Sequence, residues 1–256
     1  MTFIILACIS GIVLAVAPFW ASRVLRSRWK MPRGLFFKAG LAMLVIEVIH
    51  LAAIGNATSA WPQIMEWPVY LRALVFGVTT GLFVELGRFL VLDKMMKGVR
   101  SLKEGIYFGL GWNGLETAML GIAIVIGIFG AQTLVSTNDL ATSFPEASKS
   151  DIEQLKTFQN QAAELMRTNA VVGLAPILER GSMMVIDISL TLLILLALAR
   201  GMTSYIWAAV AFRALFSGVL VLAGDLNGIA TEIVPLAFGI MAFLLAWKIR
   251  KSLRPE

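Results

Sequence analysis

Long apolar blocks separated by short polar connections run the length of the chain, and seven of them are roughly 20 residues or longer: about 2–22, 35–56, 69–92, 105–134, 172–199, 203–223 and 229–247. An α-helix rises about 1.5 Å per residue, so a block of this length matches the ~30 Å hydrocarbon core of a bilayer. Each block predicts a membrane-spanning helix. One connection is long, Ser136 to Asn169, and its second half places Leu155, Phe158, Ala162 and Leu165 at three- and four-residue spacings. Ser150 stands ahead of them as an N-cap with Glu153 three residues on, the pattern of a capping box. An amphipathic helix on the outer membrane surface or capping the bundle is expected there. No internal repeat or low-complexity tract is visible, so the pattern predicts one all-α, polytopic transmembrane domain over residues 1–256, with 136–169 as an extracytoplasmic loop.

Composition narrows the class further. The 256 residues are 58% hydrophobic, with a mean hydropathy of +0.81, more apolar sequence than a soluble domain of this size carries. The net charge of +6 sits in the connections, so it reads as orientation signal and lipid contact, not as a nucleic-acid footprint. Arg23 to Arg33 follow the first block, Lys94, Lys97, Arg100 and Lys103 the third, Arg200 the fifth, and Lys248, Arg250, Lys251 and Arg254 the seventh. The intervening connections are neutral or acidic: Gly55 to Trp67 holds only Glu66, and Asp225 to Glu232 holds two acids and no base. The positive-inside rule then places the N-terminus outside and the C-terminus in the cytoplasm of a bacterial-type cytoplasmic membrane. Met1 to Trp20 lacks a basic leader and is followed by arginines, the reverse of a signal peptide, so it reads as a retained first span. Cys8 and His50 are the only cysteine and histidine, which excludes an internal disulfide and any multi-cysteine or multi-histidine metal site within one chain.

Against this apolar background Glu85, Glu116, Glu179 and Asp187 stand inside predicted spans together with Arg88, Arg180 and Arg213. A charge at the bilayer centre costs on the order of 3 kcal/mol on insertion scales, so these side chains are expected to face a shared polar interior. Glu85 and Arg88 are three apart on one helix face, as are Asn113 and Glu116, and Glu47 and His50. Four spans thus bring polar groups to one layer, with Asp187 and Arg213 near the middles of the fifth and sixth. Glu179 and Arg180 lie nearer the outer end, where Arg72 offers Glu179 a partner. In the midplane layer Glu47, Glu85, Glu116 and Asp187 outnumber Arg88 and Arg213, so at least one carboxyl is expected to be protonated, hydrogen-bonded or neutralised by a cation. Glycines at GVTTG, GLGWNG and Gly181 predict close helix approach beside these groups.

Three stretches, GLFVELGRFL followed by KMMKGVR, GLGWNGLETAMLG, and ILERGSMMVIDISL, resemble in order and spacing the YhfC family of multi-pass membrane proteins. That family is similar to the CAAX-protease and bacteriocin-processing intramembrane proteases of glutamic type. The resemblance implies a water-activating glutamate assisted by histidines or asparagine that hold an oxyanion or a metal. Glu85, Arg88, Gly111, Gly114, Glu116, Glu179 and Arg180 match the family motifs. Val84 stands at the first glutamate of a pair, Trp112 at a histidine, Asn113 at a glycine and Asp187 at another histidine. In the sixth span Arg213 falls at a histidine and Ser217 at an aspartate.

The resemblance therefore implies catalytic Glu85, Glu116 and Glu179 if hydrolysis is retained, with Arg88, Asn113, Arg180, Asp187 and Arg213 as supporting polar groups. No cofactor and no metal are expected, because the imidazoles are gone and Arg213 repels a cation. Three functions stay open. One is a degenerate homologue that binds a membrane protein or hydrophobic peptide, with Asp187 and Arg213 paired in place of the imidazoles. The second is an intramembrane protease using Glu85 and Glu116. The third is a transporter relaying protons or a monovalent cation through the buried acids.

Overall fold

The computed structural model describes residues 2–137, 139–143, 145–146, 148–167, 170–226 and 228–253. They form helices and connections, with no strand among the described residues. In chain order the α-helices are α1 (Thr2–Trp29), α2 (Arg33–Ala60), α3 (Val69–Gly81), α4 (Gly87–Leu90), α5 (Leu102–Ser136), α6 (Leu140–Ser143), α7 (Lys149–Arg167), α8 (Ala175–Arg200), α9 (Ser204–Leu226) and α10 (Gly228–Ile249). Seven stretches among them are long and apolar enough to cross a membrane, including Val69–Met95, which runs through α3 and α4. In hydrocarbon every backbone N–H and C=O needs a partner within the chain, which is why these apolar runs are helical throughout.

The third span is not a uniform α-helix. Two π-helical turns, Leu82–Leu86 and Val91–Met95, flank α4, and the second ends with the Met96 amide donating to the carbonyl of Val91, five residues back. Such widened turns recur in helices at functional positions, and here the first one carries Glu85. Helix ends follow local chemistry: Pro32 and Pro68 precede α2 and α3, where a missing N–H costs nothing. Gly201 takes a φ of +65° just past α8, the left-handed stop that glycine adopts without a Cβ penalty.

The chain divides into two compact units, 1–17 with 117–177 and 18–116 with 178–256. In the first, Gly11 and Gly121 allow α1 and α5 to touch backbone to backbone: a Cβ on Gly121 would lie 2.5 Å from the Ala15 nitrogen. Ser10 Oγ donates to the carbonyl of Gly173, and Gln159 Nε2 of α7 donates to the carbonyls of Leu134 and Thr137 at 2.8 Å each. The amphipathic helix is present as α7, but its cap lies two residues earlier than expected. Ser148 Oγ accepts from the Asp151 amide at 3.2 Å, and Asp151 Oδ2 accepts from the Ser148 amide at 3.0 Å. Both Ser148 and Ser150 head an S-x-x-acid sequence, and the earlier one closes the box. Phe158 on α7 is exposed, while the Leu165 side chain, Thr168 and Asn169 lie outside the described residues.

The second unit holds the main apolar core, around Phe36, Leu92, Phe108, Trp112, Ile186, Leu190, Ile194 and Phe216, all 2% exposed or less. Within it α9 lies along α3 and against α10. Gly77 and Gly81 make the first of these approaches: a Cβ on Gly77 would lie 2.5 Å from the carbonyl oxygen of Ala214, and one on Gly81 2.6 Å from that of Val210. Without hydrophobic drive between helices in lipid, such small-residue faces gain dispersion contact and let polar groups behind them meet. Gly111 is likewise pressed on the backbone of Phe36. Gly181 faces open space, so the expectation of close approach does not hold there.

A buried ion-pair network as candidate functional site

Four spans supply the centre of the second unit. The widened turn and α4 bring Glu85 and Arg88, α5 brings Asn113, α8 brings Asp187 and α9 brings Arg213. Glu85 and Arg88 are fully buried, and Asn113, Asp187 and Arg213 are no more than 4% exposed. Arg213 Nε donates to Glu85 Oε1 at 3.0 Å, and its Nη2 donates to Asp187 Oδ1. Arg88 Nη2 donates to the same Oδ1, while its Nη1 donates to the Asp187 main-chain carbonyl at 3.1 Å and lies 3.2 Å from Glu85 Oε2. Asn113 Nδ2 caps the other Asp187 oxygen at 3.0 Å, and Thr191 Oγ1 donates to the Asp187 carbonyl at 2.8 Å.

Two carboxylates therefore face two guanidiniums in a buried interior, and formal charge balances within the network. That balance matters because an unpaired ion here would carry the full desolvation cost, whereas removing one member of such a set typically costs about 3–5 kcal/mol. Trp112, fully buried, forms one wall: the Arg88 guanidinium carbon lies 4.8 Å from the ring centroid and Phe108 stacks on the indole at 5.5 Å. The indole N–H has no acceptor among the described residues, so Trp112 acts through its ring.

The remaining sequence-identified groups stand apart from this centre. Arg180 Nη1 donates to Glu116 Oε1 at 2.7 Å, and Arg180 Nη2 lies 3.8 Å from Glu179. Arg72 pairs with Asp225 at 3.5 Å, so the expected Glu179–Arg72 pair gives way to these partners. Glu47 lies 3.8 Å from His50 Nδ1, whose Nε2 is 3.4 Å from Thr80 Oγ1 and whose ring packs at 5.4 Å on Phe83. The excess of acid expected in one layer is thus resolved by geometry: Arg180 serves Glu116, His50 faces Glu47, and only Glu85 and Asp187 share the central pair of arginines. The Asp187–Arg213 pair, expected from the sequence, is present. Asn113 and Thr191 as partners of Asp187 were not legible as such, though a polar residue inside an apolar span was the available signal.

A hydrolytic metal centre needs about three protein donors, usually imidazole or carboxylate, and an open coordination position. Among the described residues no three His, Cys, Asp or Glu side chains converge. Both Asp187 oxygens and Glu85 Oε1 accept from arginine or asparagine, Glu85 Oε2 lies 3.2 Å from Arg88 Nη1, and a dication placed between the carboxylates would meet Arg88 and Arg213. The donor set does not fit a metal. What the arrangement does supply is a neutralised, interhelical lock with a separate, partly exposed Glu116–Arg180 pair, whose side chains are 32% and 17% exposed. Compared with known proteins, residues 12–234 match a family model described as YhfC intramembrane metalloprotease. No curated protein and no solved structure matches the chain.

Proposed function

The chain belongs to the YhfC intramembrane metalloprotease family, and on that premise we propose that it is a member without the hydrolytic centre, whose bundle binds an apolar membrane peptide or the span of a partner protein. One observation carries this reading: both central carboxylates are neutralised by arginine, with Asp187 and Arg213 paired where the family resemblance implies histidines. A general base needs a carboxylate free to take a proton from water, and a metal needs vacant donors. Neither is left at Glu85 or Asp187.

The binding surface we assign is a cleft of about 1070 Å³ between α2 and the third span, walled by Leu41, Val45, Leu90, Val91 and Met95. Leu41, Val45 and Leu90 are more than half exposed, and methionine at such a wall adapts its shape to different apolar partners. Gly87 contributes the floor, where Ile46 already fills the space a side chain would need. By the positive-inside rule the cleft opens toward the cytoplasmic side, next to the connection 96–101.

The test is a panel of membrane peptides incubated with purified protein and with Glu85→Gln and Glu116→Gln variants. We expect no cleavage that depends on either glutamate. A photo-crosslinking residue at Leu41 should capture an apolar peptide that the same residue at Ile126 does not. Cleavage abolished by Glu116→Gln would instead favour a second reading, a working glutamic-type protease, since Glu116 is a motif carboxylate that stays partly exposed and outside the central network.

A further inference from the structure

Three arginines at the basic end of the second unit converge on one pocket. Arg23 and Arg26 come from the last turns of α1 and Arg33 from the first turn of α2, and they line a recess of about 400 Å³. Its floor is polar and buried: Ser22 Oγ and Tyr107 Oη share a hydrogen bond at 2.9 Å, with Tyr107 1% exposed. Its side wall is the stacked pair Phe19 and Phe37, with centroids 6.2 Å apart and both rings exposed to the surroundings. No carboxylate lines this recess, and none of the three guanidiniums has an ion-pair or hydrogen-bond partner among the described residues. Inside the spans of the second unit, by contrast, Arg72, Arg88, Arg180 and Arg213 each face a carboxylate. Concentrating three guanidiniums without an acid costs repulsion that an anion removes, and the guanidinium fork matches phosphate oxygens.

The neighbouring recess identifies the source of that anion. Arg23 also lines a groove of about 660 Å³ with Trp20 and Val24, of which Trp20 is 67% and Val24 43% exposed. A tryptophan next to arginines at the end of a span marks the headgroup level of a bilayer. A soluble phosphate would gain nothing from exposed Phe19, Phe37, Trp20 and Val24, whereas an acyl chain would cover them. We infer that Arg23, Arg26 and Arg33 hold the phosphodiester headgroup of an anionic glycerophospholipid of the cytoplasmic leaflet, with its glycerol near the Ser22–Tyr107 pair and an acyl chain along Trp20 and Val24.

The experiment is native mass spectrometry of the full chain in mild detergent, titrated with phosphatidylglycerol, with phosphatidylcholine and inorganic phosphate as separate arms. One phosphatidylglycerol is expected to remain bound, with phosphatidylcholine much weaker and millimolar phosphate unable to displace it. Arginines near an anionic surface contribute roughly five-fold each, so R23Q/R26Q/R33Q should weaken binding on the order of 100-fold. A control carrying K94Q/K97Q/K103Q removes the same charge from another connection and should bind as the parent does. Arg33→Gln alone, an exposed side chain, should lose roughly five-fold and keeps the test in hand where the triple variant does not insert. Equal losses in the two triple variants would reduce the effect to overall charge and overturn the site. Displacement by inorganic phosphate would overturn the lipid as its occupant, and unchanged binding by Arg33→Gln and the arginine triple variant would overturn both.

Discussion

Arg213 Nε lies 3.0 Å from Glu85 Oε1 although 128 positions separate the two residues in sequence, and both side chains are buried. The pair ties the third span to α9, along the same contact that Gly77 and Gly81 open. Glu85→Gln leaves Arg88 and Arg213 to share the single charge of Asp187 in a buried site, and a loss of about 3 kcal/mol is expected. Denaturant unfolding in detergent micelles measures it. A double-mutant cycle with Arg213→Gln should return a coupling of about 1–3 kcal/mol. Additive losses would mean that the pair does not act as a unit.

Trp112 offers a cleaner separation of shape from polarity. Its N–H has no acceptor among the described residues, so Trp112→Phe is expected to sacrifice no hydrogen bond and keeps a ring beneath Arg88; the cost should stay under about 1.5 kcal/mol. Trp112→Ala opens a cavity under a buried cation and should cost about 3–5 kcal/mol. Thermal melting of the purified variants ranks them, and equal losses would show that the indole N–H matters after all.

Close helix approach can be tested at single glycines. Gly77→Ala forces a methyl against the Ala214 carbonyl and should destabilise by about 1–3 kcal/mol. Gly130→Ala, on α5 with nothing within 4 Å of its Cβ, should be neutral or gain up to about 1 kcal/mol from helix propensity. The same unfolding measurement compares them.

The Asp151 carboxyl, outside the spans, is held below its ordinary value of 3.8 by hydrogen bonds from the Ser148 hydroxyl and amide. A group whose folded value is depressed supports the folded form above its unfolded value and withdraws that support as pH falls through the lowered one. Protection of the first-turn amides of α7, taken relative to the unstructured exchange rate at each pH, should therefore fall on acidification below 3.8. Ser148→Ala should move the Asp151 carboxyl titration, followed by carbon NMR, up toward that value; an unmoved titration would remove the box as its cause.

Hydropathy made the seven spans legible because insertion depends on summed side-chain transfer energy, which sequence carries directly. Asp187 and Arg213 were legible as partners because each is the one charge near the middle of its own apolar span. Partner choice at Glu116 and Glu179 was not, since it depends on each helix's rotation about its axis and a depth shift of a few ångströms: Arg180 reaches Glu116 on α5, while Arg72 turns to Asp225. The widened turns of the third span left no mark in its apolar sequence. The overlapping boxes at Ser148 and Ser150 show the same limit at shorter range, because both satisfy the pattern and only chain geometry selects one. Trp112 was legible only as standing at a histidine of the family motif, and its place against Arg88 came with the structure.

The central network also has a temporal reading. Spans leave the ribosome in chain order, and each buried charge here meets an opposite charge already delivered. Glu85 and Arg88 enter three residues apart on one span and screen each other. Asp187 arrives next, to an Arg88 already in the bilayer, and Arg213 follows to find both carboxylates waiting. Within the central network the order of helices in the gene is thus a workable order of pairing during biogenesis, each new charge meeting an opposite one, whereas Glu116 on α5 waits for Arg180 on α8.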